Sequence, residues 1–320
     1  MKFRFAFLCL IIILLSFLPP NTSLAAWQQP SSLEATNTVS SSSILESHLR
    51  DWGWGFPSPE FDIAATAYTP SIAQCNPDQY LVVYERGYEI YGQRVTTTGE
   101  MIGEVFQITD DPIYSNSNFA PDIACDPDRD IFLVVWMYEW PNNDRDIFVR
   151  AVHGNHQESG DQFFSEINLV SISEYHEERP SIACNSDEHT CLVVYQSDQT
   201  GTVDIYANRI QIGSSSIDRT APFQIADNPD GDWSPDVVWG SNEDEFLVVW
   251  GFYSDGGQYR IAYRTVWDTE QTETGEQLKE GITDLLGYGA YTETHRFPSL
   301  AYNPQSQKYL VVFEYRYDFY

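Results

Sequence analysis

A short apolar run recurs five times along the chain, and each copy follows a proline-led segment. The copies read PSIAQCNPDQYLVVY (70–84), PDIACDPDRDIFLVVW (121–136), PSIACNSDEHTCLVVY (180–195), PDVVWGSNEDEFLVVW (235–250) and PSLAYNPQSQKYLVVF (298–313). Their opening prolines are 51, 59, 55 and 63 residues apart. Repeats of this length are typical of propeller blades or of another repeat array.

Each copy predicts two β-strands joined by a turn. Proline suits the start of a strand because its missing N–H is not needed in the ladder. The Asn, Asp and Pro residues in the middle of each copy favour a tight reversal of the chain. The second strand, LVV plus an aromatic residue, is apolar on both faces, so we expect neighbouring sheets to cover both faces.

Two further strands follow in each unit. The third reads EIYGQRV from Glu89, DIFVRAV from Asp146, DIYANRI from Asp204 and YRIAYRTV from Tyr259. The fourth is weaker: VFQI (105–108), FFSEINLV (163–170), PFQI (222–225) and no evident candidate between 277 and 291. Four strands per unit predict an all-β fold, a β-propeller of four-stranded blades with about five blades in this chain.

The unit resembles a repeat family of secreted and cell-surface bacterial and archaeal proteins, built on the pattern P-x-I-A … Y-L-V-V-W … D-I-Y-G-Q-R. The resemblance extends from Phe61 to Tyr320. It implies a propeller outside the cytoplasm. Because the family carries no single activity, it implies no particular reaction.

The last unit is incomplete, with two full strands and only DFY (318–320) of a third. In one explanation, FDI (61–63), which is similar to FQI in the fourth strands, supplies an N-terminal strand that closes the ring. In the other, the sequence is a fragment and further blades follow. A stop inside a core strand leaves buried backbone groups unpaired, which favours the fragment.

The N-terminus is typical of an export signal. Lys2 and Arg4 precede the apolar run from Phe5 to Leu18, and small residues end at Ala26. The run is shorter than the ~20 residues that span a bilayer. We therefore predict a signal peptide at 1–26, a Ser/Thr-rich leader or linker at 27–60 and the propeller at 61–320, secreted or at the cell surface, with no membrane span in the mature chain.

The net charge of the chain excludes some classes of binding partner. The formal net charge is −30, and removing Lys2 and Arg4 makes it more negative. Such an acidic chain is a poor partner for nucleic acid or anionic membranes. We expect instead a protein or carbohydrate ligand at the cell surface.

Cysteines and arginines occupy repeated positions. Cys184 and Cys191 flank a turn and are predicted to form a disulfide, because export permits oxidation. Cys75 and Cys125 lie at nearly equivalent places in adjacent units, and either pair or remain buried thiols. Arginine recurs in the third strands, where we expect ion pairs within each blade to acids such as Glu89, Asp146 and Asp204. These structural arginines are Arg94, Arg150, Arg209 and Arg264.

Candidate ligand-binding residues are aromatic side chains outside the repeat pattern, since such rings stack on sugars. They are Trp52, Trp54, Trp140, Trp233, Tyr253 and Trp267, of which we select the last four. NPDGDWS (228–234) spaces Asn228, Asp230 and Asp232 like a calcium loop, but it lacks the glycine and glutamate of an EF-hand. We expect an acidic turn there and no cofactor, with calcium as the only metal considered.

Catalytic motifs are sparse. The chain has no G-x-S-x-G elbow, phosphate loop or sialidase signature. Asp122 and Asp236 follow opening prolines, but Ser71, Ser181 and Ser299 fill the equivalent places, a pattern that suggests variation in the framework. We therefore expect a secreted, non-catalytic binding module. The alternatives are an architectural segment of a longer surface protein, or an extracellular glycan-active hydrolase or lyase on a five-bladed propeller with two carboxylates about 5 to 10 Å apart at the channel mouth.

Overall fold

The protein consists of β-strands joined by turns. The computed structural model describes residues 9–10, 13–15, 63–64, 66–109, 117–155, 162–171, 173–254, 258–271, 276–278, 283–285 and 293–317. Within these ranges the chain forms strands and no helix. Consequently, no helix long and apolar enough to cross a membrane occurs in the described part of the chain.

Five antiparallel sheets follow one another along the sequence. Sheet 1 contains β3 (Tyr68–Asn76), β4 (Gln79–Arg86), β5 (Glu89–Thr96) and β6 (Met101–Gln107); sheet 2 contains β7 (Ser117–Asp126), β8 (Ile131–Glu139), β9 (Arg145–His153) and β10 (Asn168–Leu169). Sheet 3 contains β11 (Glu177–Asn185), β12 (Thr190–Ser197), β13 (Asp204–Ile212), β14 (Ile217–Arg219) and β15 (Phe223–Ala226). Sheet 4 contains β16 (Asp232–Gly240), β17 (Glu245–Ser254), β18 (Gln258–Gln271), β19 (Glu276–Leu278) and β20 (Thr283–Asp284). Sheet 5 contains β21 (Glu293–Asn303) and β22 (Lys308–Tyr317), with β1 (Cys9–Leu10) and β2 (Ile13–Leu15) paired to β22.

The sheets are the blades of a β-propeller, as predicted. The first strands of the five sheets pack against one another in chain order, and all five contribute residues to the wall of one cavity. The second strands are buried on both faces: Leu133 and Val135 pack toward sheet 3, and Val134 packs toward sheet 1. The doubly apolar LVV run is thus explained by a sheet on either side.

The fourth strands are the irregular part of the fold. In sheet 2 the predicted strand 163–170 is reduced to a bridge at Phe163 and to β10. In sheets 3 and 4 it is split into two pieces that pair separately with the third strand. These outer edges face solvent, so side-chain burial does not impose one continuous register on them.

The last unit, sheet 5, has two long strands and pairs with a segment from the N-terminal end of the chain. Within the predicted export signal, β1 and β2 pair with β22, at the position of a third strand. Phe61, Asp62 and DFY (318–320) lie outside the described residues. Ile63 packs against the cluster of Val82 and Tyr84 in sheet 1.

Both cysteine pairs form disulfides. Cys184 and Cys191 are bonded across the first hairpin of sheet 3, as predicted. Cys75 and Cys125 are bonded between sheets 1 and 2, with their Cα atoms 5.3 Å apart. The second bond resolves the alternative that the sequence leaves open and ties two blades together near their inner strands.

The recurring arginines join blades, because each donates to backbone carbonyls of a neighbouring sheet. Among the described residues, none of the ion pairs predicted within each blade is found. Arg94 donates to the carbonyls of His153 (2.6 Å) and Gly154 (3.4 Å) in the next sheet. Arg209 likewise donates to the carbonyl of Trp267 at 2.7 Å.

Arg150 and Arg264 extend the opposite way, to carbonyls of the preceding sheet at Ile108 and Ile225. They stand one residue earlier relative to the buried isoleucine of the third strand, and side chains alternate between the faces of a strand. The one-residue shift therefore turns these two arginines to the opposite face.

The acids predicted as partners bind elsewhere. Glu89 accepts a hydrogen bond from Asn118, Asp146 accepts one from Trp140, and Asp204 accepts one from Gln224. They therefore help to hold neighbouring strands and loops rather than the third-strand arginines.

Candidate functional site

Each inner strand contains the same backbone irregularity. The residue before the opening proline adopts a left-handed conformation in all five sheets, with φ between 44° and 54°. These residues are Thr69, Ala120, Arg179, Ser234 and Phe297. The pairing register shifts at each of them, which produces a β-bulge. Such bulges redirect side chains, and here they direct the residues around the proline to the mouth of the channel.

The five bulges surround a cavity of about 370 Å³. Each sheet lines it with three residues: the left-handed residue, the proline and the Ser or Asp that follows. The last position reads Ser71, Asp122, Ser181, Asp236 and Ser299. The cavity is therefore polar and acidic at the point where the blades converge.

One serine contacts both acids. The Ser181 hydroxyl donates to Asp236 Oδ1 at 2.8 Å, and it lies close enough to Asp122 to lower the pKa of that carboxyl as well. The charge of Asp122 in turn raises the pKa of Asp236, so the two carboxyl groups are close to each other on the wall of the same cavity. The alternation of Asp and Ser thus has a structural cause, which the interpretation as framework variation missed.

The two carboxyls also connect blades. Asp122 accepts hydrogen bonds from Ser71 Oγ at 2.7 Å and from the backbone N–H of Ile182 at 2.9 Å. Asp236 accepts one from the N–H of Leu300 at 2.6 Å. Both side chains are partly exposed to the cavity.

Burial, hydrogen bonds and charge act on the pKa values of the two acids. Burial raises the pKa of Asp122 and that of Asp236. Hydrogen bonds from Ser71, Ile182 and the N–H of Ile123 oppose the rise at Asp122. The charge of Asp122 raises the pKa of Asp236 further. Hydrogen bonds from Ser181 and from the N–H groups of Leu300 and Val237 oppose the rise at Asp236, so the repulsion by Asp122 is what distinguishes the environment of the second acid from that of the first.

A side pocket adjoins the channel mouth and shares Arg179, Ser234 and Phe297 with it. The pocket has a volume of about 260 Å³ and lies between sheets 3, 4 and 5. Its lining combines aromatic rings with charged and polar groups: Glu178, Gln196, Trp233, Tyr259, His295 and Arg296. The Phe297 side chain is 51% exposed. Exposed rings beside polar groups are suited to binding a ring-shaped polar molecule.

The pocket lies where the repeat is broken. Three residues before the opening prolines, sheets 3 and 4 have the acids Glu177 and Asp232, whereas sheet 5 has His295. At the start of the third strand, sheets 2 and 3 have Asp146 and Asp204, whereas sheet 4 has Arg260. Comparing these columns is the sequence signal that could have identified the pocket.

One of the four selected aromatic residues, Trp233, lines the pocket. Its ring is 5.9 Å from that of Tyr259, and Tyr253 packs on both rings from outside the lining. Trp140 donates its indole N–H to Asp146 at 2.6 Å and packs on Tyr138 in the core.

Trp267 contributes its carbonyl to Arg209 and does not line the pocket. Trp52 and Trp54 lie outside the described residues. The structure therefore brings only Trp233 to the concave face and adds Tyr259 and Phe297, which the sequence analysis did not select.

The loop from Asn228 to Asp232 is a tight acidic turn. Asn228 Oδ1 accepts from the N–H of Asp230, and Asp232 accepts from the N–H of Asn228 at 2.8 Å and from Trp250 Nε1 at 2.7 Å. Burial raises the pKa of Asp232 to about 6. Among the described residues, no three His, Cys, Asp or Glu side chains are grouped to hold a metal ion. Calcium binding and the lack of a cofactor stay predictions.

Comparisons with solved structures find glycoside hydrolases. The chain is similar to the α-L-arabinofuranosidase of Lactobacillus brevis (TM-score 0.47, 11% identity, 79% of this chain and 84% of that one). It is also similar to an endo-arabinase of Bacteroides thetaiotaomicron (0.48, 9%, 79% and 94%) and an exo-β-1,3-galactanase of Phanerochaete chrysosporium (0.45, 10%, 81% and 63%). No family model matches the chain, and no curated protein matches it. The resemblance to the cell-surface repeat family stays a prediction.

The interpretation of the chain as a non-catalytic binding module is corrected. Each similar structure named above belongs to a carbohydrate-cleaving enzyme. At 9 to 11% identity this likeness concerns the fold, and the chemistry has to be argued from the residues of the site.

Proposed function

We propose that the protein is a secreted glycan-active hydrolase whose catalytic acids are Asp122 and Asp236. The observation that carries the proposal is the pair of carboxyls, Asp122 and Asp236, that line one cavity at the channel mouth with Ser181 beside both, next to a pocket with aromatic walls. Glycoside hydrolysis needs two carboxyls on either side of the scissile bond.

The environment of each acid suggests its role. Asp236 is the general acid: it gives its proton to the glycosidic oxygen as the bond from that oxygen to the anomeric carbon breaks. Asp122 is the general base: it takes a proton from the water whose oxygen bonds to the anomeric carbon. The Ser71 hydroxyl and the Ile182 N–H hold the Asp122 carboxyl in place and lower its pKa, which favours its role as the base.

An extracellular location supports a glycan substrate. The chain begins with an apolar run typical of an export signal, and it has two disulfides, which persist in oxidising compartments. Polysaccharides outside the cell are substrates that such a protein can reach.

The test is hydrolysis by the purified full-length protein of a panel of arabinan, galactan, xylan and pectic polysaccharides, measured as released reducing ends. We expect cleavage of at least one. Asp122→Asn and Asp236→Asn should each lower kcat at least about 100-fold, the contribution typical of a positioned acid or base. Asparagine keeps an oxygen acceptor for the backbone N–H groups, so circular dichroism and Tm should change little.

Asp204→Asn is the matched control. Asp204 is buried, and burial raises its pKa too, but it lies away from the channel mouth. It should retain activity. No cleavage of any polysaccharide, or equal losses in all three variants, would reject the proposed function.

A further inference from the structure

Two arginines lie on the wall of the side pocket, each beside an aromatic ring. Arg179 is exposed, and its guanidinium carbon is 5.8 Å from the centre of the Phe297 ring. Arg296 lies 3.8 Å over the Tyr259 ring. Among the described residues, neither arginine forms an ion pair. In a chain with 47 acidic and 17 basic residues, two such cations at one concavity are a marked departure from the rest of the molecule.

The acid in the same pocket is already bound from behind. Glu178 forms an ion pair with Arg145 and accepts a hydrogen bond from Gln196 Nε2 at 3.0 Å. Arg145 also binds Glu139 at 2.8 Å, so the charge of Glu178 is already paired with a cation that does not line the pocket. Arg296 Nε is buried and has no hydrogen-bond partner in the described part of the chain. A buried donor without a partner is costly, so packing alone does not explain an arginine at this place.

We propose that this pocket binds a sugar residue that carries an anionic group, held by Arg179 and Arg296. The inference rests on the proposed glycan site and names the class of glycan. Each guanidinium presents a planar fork of donors that matches the oxygens of a carboxylate or a sulfate ester. Trp233, Tyr259 and Phe297 offer ring faces and edges for the apolar side of the same sugar.

The negative charge of the whole molecule makes direct contact with the two arginines necessary for binding an anionic sugar. A chain of net charge −30 repels an anionic glycan over most of its surface. Binding therefore depends on direct contact with the two arginines rather than on long-range attraction. At physiological salt, with a screening length of ~8 Å, the distant acids interfere little with that contact.

The test is isothermal titration calorimetry on the full-length protein carrying Asp236→Asn, which prevents cleavage. The probes are a galacturonate trisaccharide, a galactotriose of the same linkage and a sulfated galactotriose. We expect at least one anionic probe to bind about 10-fold or more tightly than neutral galactotriose. Arg179→Gln and Arg296→Gln should each remove most of that preference, so that the affinity for the anionic probe falls toward the affinity for galactotriose.

Arg86→Gln is the control, because Arg86 lies 4.1 Å over the Tyr91 ring in sheet 1, outside the pocket. It should not change any affinity. Tighter binding of the galacturonate probe identifies a carboxylated sugar, and tighter binding of the sulfated probe identifies a sulfate ester. Equal affinity for neutral and anionic probes, or a preference that survives both arginine substitutions, would overturn the inference. If the protein cleaves neutral glycans and no anionic ones, the proposed hydrolase stands and the inference of an anionic sugar is rejected. If it binds anionic probes but cleaves no polysaccharide, the inference stands and the proposed hydrolase is rejected.

Discussion

Asp146 and Glu177 lie close together across the boundary between sheets 2 and 3, although both are acids, and one oxygen of each is buried without a hydrogen-bond partner in the described part of the chain. Their side chains are almost fully buried. Two ionised carboxyls buried side by side repel each other, so the pair is more stable when one of them keeps its proton. Burial, together with the neighbouring Asp146, raises the pKa of Glu177 to about 8. The boundary between these blades is therefore assembled around a protonated acid at neutral pH.

This pair predicts that stability falls as pH rises. Glu177 titrates near its ordinary pKa of 4.5 when unfolded and at about 8 when folded. Between these values the folded state holds a proton that the unfolded state has lost, so each increase in pH favours unfolding. We expect Glu177→Gln to lie within about 1 kcal/mol of the wild type at pH 5 and to exceed it by roughly 3 kcal/mol more at pH 8, because glutamine is neutral at both.

Urea unfolding of both proteins at pH 5 and pH 8 measures the effect. Exposed Glu104→Gln, in sheet 1, is the control and should follow the wild type at both values. If the difference in unfolding free energy between Glu177→Gln and the wild type is the same at both pH values, folded Glu177 does not hold a proton in this range.

The disulfides should contribute unequally. Cys75–Cys125 closes a loop of 50 residues between two blades, whereas Cys184–Cys191 closes one of 7 within a hairpin. The loss of chain entropy in the unfolded state grows with loop length. We expect removal of the first bond by paired Cys→Ala substitutions to cost about 4 kcal/mol, and removal of the second to cost about 2 kcal/mol. Denaturant unfolding measures both, and the reverse order would show that strand packing around the hairpin dominates.

Arg150 should be among the most costly polar side chains to remove. Its guanidinium donates to the carbonyls of Ile108 and Ser165 and lies over the Phe163 ring. Arg150→Met removes the donors and leaves buried carbonyls unsatisfied, at a cost of about 2 to 3 kcal/mol. Lysine keeps the charge but not the fork, so Arg150→Lys should be intermediate. The free energy of unfolding in urea tests this order. Equal stability of both variants would show that the two-pronged geometry of the guanidinium does not contribute to stability.

The fold could be predicted because its causes are local and repeated. A doubly apolar LVV strand can be satisfied only between two sheets, and the five prolines mark the inner strands. The split fourth strands could not be predicted, since exposed edges carry no strict hydrophobic pattern. The opposite directions of the arginines could have been predicted. Arg94 and Arg209 stand four residues after the buried isoleucine of their strand, whereas Arg150 and Arg264 stand three residues after it.

The site was harder to predict than the fold. The repeat pattern identifies Asp122 and Asp236 as departures from serine, but their proximity depends on how the blades converge around Ser181, and sequence spacing does not show that arrangement. Arg179 and Phe297 reach the channel mouth because they precede a proline in a left-handed conformation. Residues other than glycine seldom adopt that conformation, so no sequence rule indicates it.

Ser181 itself yields the last prediction, which rests on the proposed hydrolase. Its hydrogen bonds lower the pKa of both Asp122 and Asp236, against the effect of burial. Ser181→Ala removes that stabilisation, so both pKa values should rise. Because the base must be ionised and the acid protonated, both limbs of the kcat/KM profile should move to higher pH. Ser299→Ala, at the equivalent position of sheet 5, is the control and should leave the profile in place. The profile is measured from pH 3 to pH 9 on whichever polysaccharide the enzyme cleaves best. A profile that does not move, at undiminished activity, would show that the two acids act without this serine.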